Sequence, residues 1–471
     1  MPKPVILPTD ALFFALLLAV GIFAIYTAGR PHLREPWKRV TRSRVAVICM
    51  VVLGFYLLIA VMDSLHFHQR LPGKGPDGGP VYSNEVLSAL DWIAGPLRES
   101  NEKTYSAPFA LTLYVREPIE TPGGRQERVY PRLQHGGAHL PADGAGHARD
   151  IVATSLAGAS LGLTIWAILA VPMLARGACK RGMRFGQFIS FIRGARAGVS
   201  WRTALWTLAT VLVVLAMLGV LSLDYHVLGT DKVGEDVFYQ SLKSIRTAVL
   251  IGTLTTMVML PIAVLLGIMA GYFRRWVDDV VQYAYTTLNS IPSVLLIAAA
   301  VLMLNVYLST HADRYDSVAE RADLRLLALC LILGLTSWTG LCRLLRGETF
   351  KVRELEYIQA ATAFGVGHFR IILRHILPNV MHIVLITVVL DFSGLVLAEA
   401  VLSYVQIGVD PATHSWGNMI NGARLEMARE PVVWWSLAAA MVFMFGLVLS
   451  ANLFSDAVRD AFDPRLRERP E

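Results

Sequence analysis

EYIQAATAFGVGHFRIILRHILPN, residues 356–379, is the stretch whose reading decides how this chain is folded. It is a polar interruption with helical order, set between segments apolar enough to lie in a bilayer. Tyr357, Ala360, Ala361 and Phe364 fall at i, i+3, i+4 and i+7, which stacks them on one face of a helix. Gly365 and Gly367 then break the pattern. A second stripe with the same spacing follows at Phe369, Ile372, Leu373 and Ile376, while Arg370 and Arg374 lie one turn apart on another face. Pro378 stands where a new membrane helix begins. Two short amphipathic helices joined at a glycine, between two membrane spans, make a surface element built to dock. The small Ala360–Ala361 pair lets a partner's groove come close to the helix. The pattern alone also fits a helix pair lying on lipid headgroups, with its arginines touching phosphate.

Outward from this stretch the chain is dominated by apolar runs. With 54% hydrophobic and 17% charged residues in 471, it is not an ordinary soluble globule. Nine runs are long enough to cross about 30 Å of hydrocarbon. They lie near 11–28, 43–62, 151–175, 203–223, 248–271, 280–306, 326–345, 379–402 and 432–455. Backbone groups in such runs must be satisfied internally, so each is expected to be a helix. The short alternating strands of a barrel are absent. The expected fold is an all-α polytopic membrane protein.

Lys and Arg placement gives the orientation. Connector 29–44 carries Arg30, Arg34, Lys38, Arg39, Arg42 and Arg44 against one acid, Glu35. Connector 176–202 carries Arg176, Lys180, Arg181, Arg184, Arg193, Arg196 and Arg202 and no acid. Both are expected in the cytoplasm. Parity then puts the 346–378 loop and the C-terminus inside and the N-terminus outside. The net charge of +7 is mostly this inside bias and implies no nucleic-acid partner. Lys3 before the first run and Thr27, Ala28 and Gly29 after it also fit a cleaved signal peptide, which would invert everything downstream. An uncleaved helix with its N-terminus outside is the expectation.

Catalytic signals are missing. No G-x-x-x-x-G-K-[ST] loop is present to cradle nucleotide phosphates. Cys49, Cys179, Cys330 and Cys342 form no C-x-x-C pair and suggest no disulfide framework. His66, His68, His135, His139 and His147 lie in the external segment, His66 and His68 at an expected helix end, and their spacings do not support a metal site. Intramembrane charge is the better lead. Asp391 and Glu399, eight residues apart in one span, project to a similar side. A buried acid in a bilayer faces a pathway or a partner rather than lipid. For Asp391 two readings stay open, a substrate path and a structural hydrogen bond; Glu399 also fits a cap for the turn at Leu402–Ser403. Lys243 and Arg246 are expected to snorkel or to bind headgroups.

The external segment is rich in Gly and Pro at 72–80, 122–124 and 136–146. Phe109–Val115 and Gln126–Leu133 are expected to pair as strands around Pro122-Gly123-Gly124, and 84–99 to form a short helix. A small folded cap and a locally ordered linker both fit.

The 356–379 stretch resembles the cytoplasmic coupling loop of ABC-transporter permeases, with its pattern E-A-A, three residues, G, nine residues, I-x-L-P. Gln359, Ala360, Ala361, Gly365, Leu377 and Pro378 match in register; Gln359 replaces the Glu and His375 the Ile. Both departures, with Glu356 and Tyr357 before them, resemble the dipeptide/oligopeptide/nickel branch. Leu228-Gly229-Thr230-Asp231 with Gly234 and Asp236 is similar to that branch's L-G-T-D-x-x-G-R-D, with Glu235 in place of Arg. Gly271-Tyr272-Phe273 with Asp278, Pro292, Glu399–Tyr404, Ser415-Trp416-Gly417 and Arg459–Pro464 complete the run.

The resemblance covers about 36–67 and 225–467. It implies a six-helix permease core of the C type with about three extra spans. Residues 1–35 are then an added helix and basic connector, and 36–67 the first core helix. Residues 68–150 are an external loop, 151–224 an inserted hairpin, and 225–471 the rest of the core with its coupling loop at 346–378. It also implies the partners: a second homologous permease, two ABC ATPase subunits, an extracytoplasmic substrate-binding protein and membrane lipid. ATP and Mg would be used by the ATPase subunits, with no cofactor on this chain. The setting implied is the bacterial inner membrane. Two other classes remain, a self-contained secondary transporter or channel, and a membrane enzyme or sensor working through 63–150.

Overall fold

The computed structural model describes residues 3–74, 80–120, 126–141, 144–180, 182–183, 187, 200–311 and 317–462. The expected turn at Pro122-Gly123-Gly124, the connector arginines Arg181, Arg184, Arg193 and Arg196, and Asp463-Pro464 lie outside them. Strand β1, Lys3–Val5, precedes α1, Pro8–Ala28, which opens on Pro8, where the missing N–H is no loss. Next come α2, Pro31–Val40, and α3, Arg44–Asp63, whose N-cap Ser43 accepts the Ala46 N–H. The segment that follows α3 holds β2, His66–Lys74, β3, Pro80–Ser88, α4, Ala89–Ile93, α5, Gly95–Glu99, β4, Glu117–Glu120, and β5, Gln126–Val129. The long helices α6, His147–Lys180, α7, Trp201–Asp224, and α8, Val237–Phe273, follow, then α9, Arg275–Ser290, and α10, Ser293–Thr310. After α11, Val318–Ser337, and α12, Thr339–Arg353, come α13, Glu356–Ala363, and α14, His368–Ile371. A π turn, Ile372–Ile376, leads into α15, Leu377–Tyr404, with α16, Trp416–Glu426, and α17, Trp435–Phe462, closing the order. Among the described residues nine helical stretches are long and apolar enough to cross a membrane, and the chain is an all-α polytopic membrane protein.

Several boundaries differ from the sequence expectation. The 280–306 run is two helices, because Ile291, which precedes Pro292, is held extended at φ −92° and ψ 129°. His66 and His68 lie in a strand: β2 pairs antiparallel with β3, His66 opposite Ser88 and His68 opposite Val86. The expected helix over 84–99 begins only at Ala89. A capping box between Ser88 and Asp91 starts α4, and Pro96 at the start of α5 marks a second short helix. The expected strand pairing is shorter and shifted. Positive φ at Phe109 interrupts the first run, the hairpin forms between β4 and β5, and only a Thr112–Arg132 bridge survives upstream.

The chain forms two compact units. The first comprises Met1–Pro4, Lys38–Arg246 and His414–Ser450. In it α6 and α7 pack backbone to backbone. A Cβ added at Gly158 or Gly162 would stand 2.7 Å from the Met217 Cα or 2.6 Å from the Val213 Cα. Such close approach is open only to small residues. Lys243 does not snorkel. Its ammonium lies 2.7 Å from Asp63 Oδ1 and 2.9 Å from Asp91 Oδ1, and Arg246 donates to Ser64 Oγ at 3.2 Å. Two acids from distant segments recruit the Lys243 ammonium, which pairs its charge more completely than headgroups would.

The Leu228–Asp236 turn is tied to the segment between α3 and α6, the Glu102 N–H donating to Gly234 O at 2.9 Å. Gly229 and Gly234 have φ of +72° and +83°, and a Cβ at Gly234 would meet Glu102 O at 1.8 Å, so glycine is required there. Asp236 Oδ1 accepts the Phe238 and Tyr239 N–H groups and so caps α8. Its other oxygen lies 2.8 Å from His226 Nδ1, while His226 Nε2 is 3.5 Å from Glu102 Oε1. Glu102 also accepts backbone N–H groups from Gln134, His135 and Gly136.

Burial opposes charge on His226, but the Asp236 and Glu102 carboxylates outweigh it and hold its pKa up at about 9 against 6.5. Burial likewise opposes charge on Glu102, yet His226 and the three N–H groups bring it down to about 2 from 4.5. The raised histidine stabilises fully below 6.5 and ceases to as pH rises through about 9; the lowered carboxylate stabilises above 4.5 and ceases to as pH falls through about 2. The thermal unfolding midpoint of the purified chain is therefore expected to be highest between 4.5 and 6.5 and to decline from 6.5 until about 9. His226→Ala should remove that alkaline drop; an unchanged alkaline limb would detach it from this cluster.

The second unit comprises Val5–Trp37, Thr247–Thr413 and Ala451–Glu471. Here α1 packs on α11, with the Thr9 N–H donating to Asp323 Oδ2 at 3.0 Å. Gly267 and Gly271 on α8 let α12 approach, a Cβ at either meeting a carbonyl of α12 at 2.8 Å. The core beneath is formed by Tyr272, Val281, Tyr285, Leu341, Leu345 and their neighbours. Arg346 on α12 clamps both carboxylate oxygens of Asp278 on α9, with Nη2 to Oδ2 at 2.7 Å. This frame carries the loop between α12 and α15.

Candidate functional site

The loop is anchored by three buried isoleucines, Ile358 on α13, Ile371 on α14 and Ile376 in the π turn. They pack on the second unit's core, and what remains outside is a largely apolar face. Phe364 is 88% exposed, Phe369 76%, Leu373 47% and Tyr357 44%. Ala360 is exposed and Ala361 half-buried. The first expected stripe therefore faces outward almost intact. The second is split, because Ile376 turns into the core and Ile372 is half-buried, while Phe369 and Leu373 stay outside. Glu356, Arg370, Arg374 and Pro378 are exposed and His375 half-buried.

Gly365 ends α13 with φ +76°. Its N–H donates to Thr362 O at 3.0 Å and the Val366 N–H to Ala361 O at 3.0 Å. This left-handed closure, with glycine just past the helix, satisfies the terminal carbonyls and reverses the chain. Other contacts brace it. Gln359 Nε2 donates to Glu354 O at 3.2 Å, beyond the end of α12. Asn379 Nδ2 donates to Tyr357 O at the ring hydroxyl, 2.8 Å, and to the His375 carbonyl at 2.7 Å, clipping the two arms of the loop together.

The second arm is not a separate helix. Residues His368–Tyr404 run as one helical stretch, and α15 starts on helical backbone at Ile376. Pro378 lacks the N–H that would bond back to Arg374, and the wider π turn just before it accommodates that loss within a continuous rod.

Five residues not singled out as site residues complete the surroundings. Tyr272 OH pairs with His368 Nδ1 at 2.8 Å, Arg274 pairs with Glu354, and the Arg353 guanidinium lies over the Tyr272 ring. Tyr272, Arg353, Glu354 and His368, with Gln359 and Thr362, line a cleft of about 520 Å³ beside α13. The Gly271-Tyr272-Phe273 motif was the sequence signal for this corner.

Asp391 and Glu399 have different surroundings. Glu399 is buried and accepts the Ser403 hydroxyl at 2.7 Å, and Ser403 Oγ in turn accepts the Val409 N–H. It holds the turn that follows α15. Asp391 is half-buried on the same helix, with no hydrogen bond or ion pair among the described residues.

This loop, with its glycine reversal and buried anchors, sits within a region that matches a known family. The family described as binding-protein-dependent transport system inner membrane component matches residues 263–468. The dipeptide transport system permease protein DppC of Lactococcus lactis subsp. cremoris is 28% identical over 250 residues, 53% of this chain and 67% of that protein. The oligopeptide transport system permease protein OppC of Mycobacterium tuberculosis is 31% identical over 242 residues, 51% of this chain and 77% of that protein. With the 346–378 loop and the Arg346–Asp278 clamp both inside the shared region, this chain belongs to the family of binding-protein-dependent transport system inner membrane components.

Proposed function

We propose that the chain is the C-type permease subunit of an ATP-driven importer for dipeptides, oligopeptides or related small solutes. The observation that carries this reading is the outward apolar face of Tyr357, Ala360, Phe364 and Phe369, mounted on a braced and buried base. Two ABC ATPase subunits, which use ATP and Mg, grip this face and its counterpart on a second homologous permease. An extracytoplasmic binding protein delivers the solute. Residues 36–67 and 225–471 form the permease core in this reading, with the coupling loop in the cytoplasm and the N-terminus outside. The external segment and the α6–α7 hairpin form a collar for the binding protein.

The mechanism follows from the helix continuity. Closure of the ATPase pair displaces α13 and α14, and α14 is one rod with the span α15. A push on the loop therefore reaches the pathway without a joint, and the two permeases exchange inward-open and outward-open arrangements. Asp391, with no hydrogen bond or ion pair among the described residues, lines the path. Asp391→Asn is then expected to change uptake while leaving folding unaffected, and unchanged uptake would take it off the path.

The test is gentle affinity purification of the tagged chain from its native membrane, with ATPase activity assayed. Two P-loop ATPases and a second permease should co-purify. A chain that purifies alone and drives uptake from an ion gradient would favour a secondary transporter.

A further inference from the structure

The first unit carries an exposed apolar patch at the end of α3. Leu65 is 49% exposed, Trp92 77% and Ile93 58%. They adjoin, because the Ala89 N–H donates to Leu65 O at 2.9 Å and Trp92 and Ile93 lie one helical turn beyond Ala89. On its other side the same short element is fixed to membrane helices. Ala94 and Leu97 cluster with Phe238 and Tyr239 of α8, and this cluster packs against Leu218 of α7, Leu242 of α8 and Phe443 of α17, which lie inside those helices, and against Leu228 between α7 and α8. Asp91 Oδ2 accepts from Lys243 of α8 at 3.1 Å, and Asp91 Oδ1 from Tyr239 at 2.7 Å. Asp63, the last residue of α3, shares both Lys243 and the Ser88 hydroxyl.

We infer that α4 is an interfacial anchor, with Leu65, Trp92 and Ile93 seated in the lipid leaflet around the end of α3. The depth is set by the packing. An element whose inner face touches apolar side chains within three spans lies at the level where hydrocarbon meets headgroups. An indole at that level places its ring among the upper acyl chains and its N–H toward water. The external segment is thereby held down on the bilayer at α4 and joined to the Leu228–Asp236 turn through Glu102.

The test uses the full chain in phosphatidylcholine vesicles, with lipids brominated high on the acyl chains as quencher. Emission lost in Trp92→Phe is the Trp92 component. It is expected to be quenched by bromolipid and insensitive to aqueous iodide, with no other protein present. A component quenched by iodide alone would overturn the inference, since Trp92 would face water. One shielded from iodide only after binding protein or a second permease is added would overturn it in favour of a protein interface. A second reading leaves Trp92 in place: Ile93→Cys, in a chain with Cys179→Ser, carries a nitroxide. Greater accessibility to oxygen than to an aqueous nickel complex is expected, and the reverse would overturn the anchor.

Discussion

Replacing Gly365 with valine is expected to abolish uptake while the chain still folds and the binding protein still captures its solute. No atom lies within 4 Å of a Cβ added there, so the effect is not steric crowding. It is backbone conformation, since φ is +76° and a β-branched side chain resists that region. The cost is of order 1–3 kcal/mol, and relaxing it requires α13 to leave its left-handed closure. Ile358 and Ile371 remain buried, so folding is spared. The geometry between Phe364 and Phe369 is lost, and a docked population shifted by about 1.4 kcal/mol already falls about tenfold. Gly365→Asn, which tolerates the same φ, should retain most transport. Solute uptake in proteoliposomes with the ATPase subunits, beside capture by the isolated binding protein, is the measurement. Normal uptake by the valine variant would remove this loop from coupling.

The largest stability effect is expected at Lys243. Lys243→Met would leave the Asp63 and Asp91 side chains, 3% and 7% exposed, without their shared cation. Stranding buried carboxylates by removing one partner costs about 3–5 kcal/mol, a large share of any domain's stability. The Asp91 carboxyl shows what is lost: burial pushes it up, but Lys243, the Ser88 N–H and the Tyr239 hydroxyl together hold it at about 2. Thermal unfolding in detergent should show a much lower midpoint or no folded protein. Adding Asp63→Asn and Asp91→Asn should recover most of the loss, because two neutral amides need no cation. A methionine variant as stable as wild type would mean that the triad carries little.

Apolar runs of about twenty residues signal themselves, so the spans were legible in sequence. So was Gly365, between two stripes of helical spacing. What escaped depended on partners far along the chain. Lys243 reads as a snorkelling cation because Asp63 and Asp91 lie 180 and 152 residues away. The β2 strand was hidden because its pairing, and not its composition, makes it a strand. Ile291–Pro292 carried the signal that splits the 280–306 run, but the apolar pattern on either side outweighed it. The π turn is invisible in sequence, since its residues suit an α-helix equally well. In the site, the outward Phe364 face was legible, whereas the burial of Ile376 and the isolation of Asp391 needed the folded core.

The π turn also sets a phase. A single π turn is one residue inserted into an α-helix, and each α-helical residue turns the chain by about 100°. The azimuth of Phe369 and Arg370 about the rod is therefore offset from the face that Asp391 and Glu399 present farther along. Deleting one residue within Ile372–Ile376 would keep the rod unbroken yet swing the grip around its axis, leaving a lever of the right length aimed in the wrong direction.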